Sequence, residues 1–105
     1  MMSRETDQRP WGGYEVLLDE AAYKTKRIWV EPGKRLSLQF HRRRDEHWFV
    51  VAGRGLVTRS EETIAVTRGS VVDIPAGVAH RIENTGEETV VFIEIQTATI
   101  SARMI

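Results

Sequence analysis

The amino-acid sequence predicts an all-β fold, either a β-sandwich or a small antiparallel β-barrel. Three observations support this prediction. Short runs rich in β-branched and aromatic residues recur along the 105 residues, clusters of Gly, Pro, Asn and Glu separate them, and no stretch sustains the 3.6-residue apolar period of a helix. The length suits one domain, residues 1–105, with a single hydrophobic core.

The predicted elements follow one another at short intervals. Residues 1–10 are polar and end at Pro10, so we interpret them as an arm that is either flexible or exchanged with a second copy of the chain. After this arm, turn signals such as EPGK, PAGV and NTGEE delimit nine runs of strand-forming residues. These runs are residues 14–18, 23–30, 35–41, 47–52, 55–60, 63–67, 70–75, 79–83 and 89–96.

Composition limits the classes of partner and of metal site. The formal net charge is zero, which argues against a nucleic-acid or anionic-membrane partner, because either would favour a basic surplus. Cysteine is absent, so disulfides and thiolate metal sites are excluded and a metal must take nitrogen and oxygen ligands. No apolar run approaches the ~20 residues of a membrane span, and residues 1–10 lack the apolar core of a secretion signal. We therefore expect a cytoplasmic location.

One polar row stands out in the predicted strand at residues 35–41. Side chains alternate across a strand, so Ser37, Gln39 and His41 share one face, while the three apolar residues that alternate with them share the other. In a closed or two-layered β structure, both faces of a strand can be covered. Such a polar row then lies either in water or in a polar cavity.

Glycines, a proline and potential metal ligands recur at two characteristic spacings. The first half of the chain reads G-x5-Q-x-H-x4-E-x6-G from Gly33 to Gly53, and the second half reads G-x5-P-x-G-x2-H-x3-N from Gly69 to Asn84. These strings resemble the paired motifs of the cupin superfamily, with Gln39 in the place of the usual first histidine. The resemblance implies a small antiparallel β-barrel of the cupin type, a double-stranded β-helix or jelly roll.

The cupin resemblance also implies a metal site. Residues i and i+2 of a strand point the same way, so Gln39 and His41 would hold one ion together. Glu46 would close the site from the following strand, and His80 would complete it after the second motif's turn. Nitrogen and oxygen ligands of this kind suit one divalent ion per chain, Zn²⁺ first, or else Mn²⁺, Fe²⁺, Co²⁺ or Ni²⁺. The alternative is a cupin barrel that keeps the pattern without a metal.

Longer sequence segments indicate which branch of the superfamily the chain resembles. RPWGGYEVL, YKTKRIWVEPGKRLSLQFH, EHWFVVAGRG and IPAGVAHRIEN resemble the cupin module of type II mannose-6-phosphate isomerases, across roughly residues 9–96. Those isomerases are often fused to a mannose-1-phosphate guanylyltransferase, for which 105 residues leave no room. The resemblance implies a sugar-phosphate substrate and the interconversion of mannose 6-phosphate and fructose 6-phosphate, through an enediol that the metal stabilises as a Lewis acid.

Two features of the sequence differ from the usual pattern of that branch of the cupin superfamily. Arg42, Arg43 and Arg44 stand where more histidines usually follow, and the tail TATISARMI lacks the branch's usual acidic segment. If the tail shapes the active site, the isomerase hypothesis is weakened. A non-catalytic cupin that binds a sugar or sugar phosphate is therefore the main alternative hypothesis, and a metal-dependent dioxygenase is a second one.

Several residues are candidates for substrate binding and catalysis. Cationic groups suit phosphate, so Arg43 in the arginine run could receive it together with Lys34 and Arg35, although a charged loop is also often simply solvated. Trp48 could stack on the sugar ring, or lie in the core. The reaction needs a general base, and His47 is the candidate that titrates near neutrality, although strand alternation turns it away from the ligands.

The number of apolar residues exceeds what one small barrel readily buries. The residues that suggest this excess are Ile28, Val30, Leu36, Leu38, Phe49 and Val51. We therefore expect a homodimer, formed through an edge strand or by sheet-on-sheet packing.

Overall fold

Two antiparallel sheets form the part of the chain that the computed structural model describes, residues 5–98. The strands are β1 (Thr6–Arg9), β2 (Gly12–Asp19), β3 (Tyr23–Val30), β4 (Arg44–Ala52), β5 (Gly55–Arg59), β6 (Glu62–Val66), β7 (Val71–Ile74), β8 (His80–Asn84) and β9 (Val90–Ala98). One sheet has the order β1-β2-β3-β9-β4-β7, and the other has the order β6-β5-β8. The all-β prediction is confirmed. Between residues 5 and 98, no helix is long and apolar enough to cross a membrane.

Residues 35–41 differ from their predicted strand. They run along the outer edge of β8 and meet it at two isolated bridges, Arg35 to Glu83 and Gln39 to His80. A segment that pairs on one side only, and at separate points, need not keep strict alternation. Its three apolar side chains accordingly do not share one face: Leu36 is buried, whereas the other two are exposed.

The N-terminal arm contributes a strand to the larger sheet. Thr6 lies opposite Glu15 and Arg9 lies opposite Gly12, so β1 pairs with β2 of the same chain. This pairing differs from the expected flexible arm, while exchange of the arm between two copies stays a prediction. Residues 1–4 lie outside the described part of the chain, as do residues 99–105, which include most of the divergent tail.

The interior between the two sheets has an apolar end and a polar end. The register of β3, β9 and β4 aligns their inward-facing side chains in rows. These rows are Ile28–Phe92–Val50, then Lys26–Glu94–Trp48, then Lys24–Gln96–Glu46. Buried polar groups are costly unless they are paired. The polar rows therefore indicate a site, whereas the apolar row belongs to the core.

The outer face of the larger sheet carries exposed apolar side chains. Of the six residues expected to be in excess, three are buried in the core and three are exposed, namely Leu38, Phe49 and Val51. Phe49 lies opposite Val71 in the neighbouring strand β7, and Ile95 is exposed on β9 on the other side of β4. We call Phe49, Val51, Val71 and Ile95 the outer patch.

Candidate metal centre

The four predicted ligands meet at the polar end of the interior. Gln39 and His80 face each other across their bridge, with backbone hydrogen bonds of 2.8 and 2.9 Å in the two directions. The turn before β8 is fastened to His41, because the amide of Gly77 donates to the His41 carbonyl oxygen over 2.7 Å. Glu46 enters from β4 in the opposite sheet. The structure therefore brings both halves of the chain to one point.

The ligand atoms of these residues lie at distances that suit one ion. Nε2 of His41 lies 3.3 Å from Oε2 of Glu46 and 3.3 Å from Oε1 of Gln39. Nε2 of His80 lies 3.6 Å from Oε1 of Glu46. One ligand atom each from His41, Glu46 and His80 can be chosen so that all lie within 4.8 Å of one another. Bonds of about 2.1 Å to a tetrahedral ion would set neighbouring ligand atoms about 3.4 Å apart, which these spacings match.

His80 is held in the tautomer that metal binding requires. Its side chain is almost fully buried, and its Nδ1 lies 2.9 Å from the carbonyl oxygen of Val78. A carbonyl oxygen only accepts, so Nδ1 carries a proton, and the neutral ring then presents the Nε2 lone pair toward Glu46. Within residues 5–98, this Nε2 is the buried side-chain polar atom that has no hydrogen-bond partner. A buried lone pair without a partner costs free energy, and a bound cation would remove that cost.

Arg44 brings a positive charge to the same cluster. Its Nη2 lies 2.9 Å from both His41 Nε2 and Glu46 Oε2, and its Nε donates to the same carboxylate oxygen over 3.0 Å. A guanidinium only donates, so Nε2 of His41 accepts and carries no proton. Burial, and next the charge of Arg44, lower the pKa of His41. The imidazole therefore stays neutral, which is the form that binds a metal.

Trp48 orients the carboxylate of Glu46. The indole Nε1 donates to Glu46 Oε1 over 3.0 Å, and Glu46 is only 1% exposed. The Trp48 ring packs against Phe92 with 4.7 Å between centroids and lies edge-on to His80 at 5.8 Å. A buried carboxylate needs such hydrogen bonds. Because packing holds the indole in place, its hydrogen bond determines which lone pairs of the Glu46 carboxylate point at the cluster.

A cavity of about 240 Å³ adjoins the cluster on the side of β2 and β3. It contains aromatic and apolar walls, three cationic side chains and one carboxylate, a combination that suits a small anionic ligand with several hydroxyl groups. Gln39 and Arg44 connect it to the metal centre. The lining residues are Arg9, Trp11, Tyr14, Lys26, Ile28, Leu36, Ser37, Gln39, Arg44 and Glu94.

Glu94 is the carboxylate of this cavity. It is 5% exposed, and Nε2 of Gln96 donates to its Oε1 over 2.5 Å. Burial, and next the charge of Glu46, raise the pKa of Glu94 to about 7. Across the β3–β9 register, burial lowers the pKa of Lys26. The cavity thus contains a carboxyl group that gains and loses its proton near neutral pH.

His47 does not join the metal centre. It is exposed on the outward face of β4, where its Nδ1 lies 2.7 Å from Oδ1 of Asp73. Glu46 and Trp48 point inward on either side of it, and the pairing of β4 with β9 is regular at these positions, so alternation directs His47 outward. Its predicted catalytic role therefore does not fit the structure.

Lys34 and Arg35 are not among the residues that line the cavity. Both are exposed, and Arg35 bridges Glu83, three residues along β8 from His80. At about 3.3 Å per residue, that separation is about 10 Å. Arg35 is next to Leu36, which lines the cavity, so the phosphate-binding role of these two cations stays a prediction.

The structure bears differently on the predicted substrate-binding roles of Arg43 and Trp48. Arg43 is exposed in the bend beside His41, so its phosphate-binding role stays a prediction. Trp48 lies on the face of Glu46, as alternation predicts, but it is buried and engaged with that carboxylate. Its ring packs in the core, which does not fit the predicted stacking on a sugar.

Several residues of the site were missed by the sequence analysis. Glu94 and Gln96 alternate in phase with Phe92, so the strand VVFIEIQT carries two polar residues on its inward face. That pattern was a readable signal for a polar cavity. Lys26 had no comparable signal, because only the register of β3 and β9 shows which side it faces.

Comparison of sequences gives relatives over most of the chain. The family described as "Mannose-6-phosphate isomerase C-terminal" matches residues 1–102. The xanthan biosynthesis protein XanB of Xanthomonas campestris pv. campestris is 44% identical over 91 residues, which are 87% of this chain and 20% of that protein. A mannose-1-phosphate guanylyltransferase of Salmonella muenchen is 37% identical over 94 residues, 90% of this chain and 20% of that protein. The chain spans about a fifth of the length of these relatives.

Comparison of structures shows the fold. The cupin domain of Schizosaccharomyces pombe Cnp3 superposes with a TM-score of 0.82 at 16% identity, over 88% of this chain and 68% of that one. A predicted oxalate decarboxylase from Thermotoga maritima gives a TM-score of 0.79 at 22% identity, over 92% and 93% of the two chains. The cupin fold implied by the paired motifs is thereby confirmed.

Proposed function

Because the chain belongs to the family of mannose-6-phosphate isomerase C-terminal domains, we propose that it is a metal-dependent aldose–ketose isomerase acting on mannose 6-phosphate and fructose 6-phosphate. One observation carries this proposal: a cluster of lone-pair donors, of which Glu46 and His80 are buried, adjoins a cavity lined by three cations and a carboxylate. The ion, one divalent metal per chain with zinc as the first choice, would supply Lewis-acid chemistry at the sugar oxygens.

The cavity residues suit a sugar phosphate. Lys26 Nζ lies 4.3 Å from the centroid of the Tyr14 ring, and the guanidinium carbon of Arg9 lies 5.9 Å from the same centroid. Cations at this end of the cavity would receive the phosphate, and the ring of Trp11 would pack against the sugar. The oxygens of C1 and C2 would then lie at the other end, beside Gln39.

Turnover of mannose 6-phosphate by the purified, metal-loaded protein tests this function, with fructose 6-phosphate followed in a coupled assay. We expect Glu46→Ala to lower kcat/KM at least about a thousandfold, because the ion loses its carboxylate ligand. Glu83→Ala removes a carboxylate from β8 outside the metal centre and should leave kcat/KM unchanged. Wild-type protein that binds the sugar phosphate but converts none of it, with any of the five candidate metals, contradicts the isomerase proposal.

That contrary outcome would support a second function, a non-catalytic module that binds a sugar phosphate. The observation that favours it is that the relative from Salmonella muenchen is named a mannose-1-phosphate guanylyltransferase, a name that does not include isomerisation. A binding module of this kind would keep the cavity and its cations without needing turnover. Oxygen uptake by the iron-loaded protein would instead support the dioxygenase alternative.

We also propose that the protein is a homodimer formed through the outer patch. The patch spans the adjacent strands β7, β4 and β9, and its apolar side chains are exposed in the single chain. Burial of apolar surface contributes roughly 25 cal/mol per Å², and a two-fold axis lets one patch cover an identical one. The proposed dimer therefore buries exposed apolar area without requiring a second kind of partner.

Phe49→Glu should convert the dimer to a monomer in sedimentation velocity experiments, because it places a charge in the centre of the buried patch. Leu38→Glu is the matched control, since Leu38 is equally exposed but lies outside the patch, and it should leave the dimer intact. A wild-type protein that sediments as a monomer at tens of micromolar would contradict the dimer.

A further inference from the structure

We propose that Glu94 is the general base of this reaction and carries the proton between C1 and C2 of the sugar phosphate, an inference that rests on the proposed isomerase function. Among the residues that line the cavity, Glu94 is the one with a carboxylate. A general base must reach the reacting carbon directly, so it has to line the space that the substrate occupies. His47, which the sequence favoured, lies on the opposite face of its strand.

The register places Glu94 at a suitable distance from the metal centre. Glu94 and Gln96 are successive inward residues of β9, and Gln96 lies opposite the metal ligand Glu46. Successive residues on one face of a strand are about 7 Å apart. A two-carbon unit whose oxygens face the ion fits in such an interval. Glu94 would then face C1 and C2 from the side away from the ligands.

The carboxylate is also held in one orientation. Gln96 donates to Oε1, which fixes the plane of the group and leaves Oε2 for a substrate proton. Glu94 is only 5% exposed. A carboxylate with few waters around it is a stronger base than one in bulk water.

The proton transfer balances with this single group. Glu94 takes the proton from C2 of the open-chain aldose, the C2–H electron pair forms the C1–C2 double bond, and the carbonyl pair moves to O1. The proton of O2 passes to O1. The electron pair left on O2 then forms the C2=O2 double bond of the ketone, and the C1–C2 double-bond pair takes the proton back from the Glu94 carboxyl at C1. Nothing is oxidised or reduced overall, and Glu94 ends as a carboxylate.

The test compares Glu94→Gln with Glu83→Gln, which makes the same change outside the cavity. Four quantities are measured on the metal-loaded proteins: kcat, KM, metal content, and deuterium uptake at C2 of mannose 6-phosphate in D₂O. We expect Glu94→Gln to lower kcat and the deuterium uptake at least about a hundredfold, since a catalytic base commonly contributes 10²–10⁴-fold. KM should stay within about threefold and the metal at about one ion per chain, because the amide keeps the shape of the side chain. Glu83→Gln should match the wild type in all four.

Each outcome decides between the two proposals. An active wild type together with a Glu94→Gln variant that keeps more than a tenth of kcat overturns the base assignment and leaves the isomerase function standing. An inactive wild type overturns both. Lost activity accompanied by lost metal shows a structural role and also overturns the assignment. If Glu94→Gln does not fold, Glu94→Asp replaces it: a reduced kcat with wild-type metal content and KM supports the assignment, and an unchanged kcat overturns it.

Discussion

His80→Ala should lower the metal content of the purified protein from about one ion per chain to below about a tenth of an ion. His80 Nε2 is buried, presents a lone pair to the cluster and is without a hydrogen-bond partner among residues 5–98. Loss of an outer partner alone commonly weakens metal binding 10–100-fold, so loss of a direct ligand should raise the Kd more than about a hundredfold. Elemental analysis after dialysis against a fixed concentration of free metal measures the effect.

His47→Ala is the matched control for this experiment. It removes the same side chain from the outward face of β4, where His47 contacts Asp73 and no ligand of the proposed ion. Its metal content should equal that of the wild type. A His80→Ala protein that retains a full ion would show that the ion is held elsewhere, and equal losses in both variants would point to unfolding as the cause.

Gly12→Ala should destabilise the protein by at least about 4 kcal/mol, or prevent folding. Gly12 has φ of 148°, and a Cβ atom at this position would lie 2.1 Å from the carbonyl oxygen of Trp29 in the neighbouring strand. That atom belongs to the backbone of β3, so no side-chain rotation relieves the overlap and the strands must separate. Chemical denaturation with urea measures the loss in the free energy of unfolding.

Gly33→Ala separates the steric overlap from the backbone strain. Gly33 has φ of 75°, and a Cβ atom there would meet nothing within 4 Å. Only the left-handed conformation is then penalised, which costs about 1–2 kcal/mol for a residue with a side chain. A Gly12→Ala loss no greater than that of Gly33→Ala would contradict close approach of β2 and β3 as its cause.

The sequence predicted the fold and the meeting of Gln39, His41, Glu46 and His80 better than the rest of the site. Strand runs and turn signals are local, and the two motifs tie His41 and His80 to turns that local chemistry also specifies. The bridge between Gln39 and His80 then brings the two motifs together. Residues 35–41 were expected to be a strand because their alternation is clear, but an edge segment follows its neighbour only where hydrogen bonds form.

Prediction of the cavity requires the register of the strands, which no local sequence pattern contains. Lys26 and Glu94 come from two strands that are distant in sequence, and only the pairing of β3 with β9 aligns them. For the same reason, Lys34 and Arg35 seemed to flank the ligands by proximity in sequence, although they lie toward the other end of β8. Proximity along the chain predicts proximity in space only where the register is known.

Arg44 determines whether the protein needs an ion in order to fold. Its guanidinium neutralises Glu46 and satisfies His41 through contacts of 2.9 Å, so the newly made chain does not need an ion to compensate the buried carboxylate. We therefore expect the chain to fold without the proposed ion, unlike a zinc finger, in which the ion is required for the fold. The identity of the ion would then be decided by which metal the cell supplies to the finished protein.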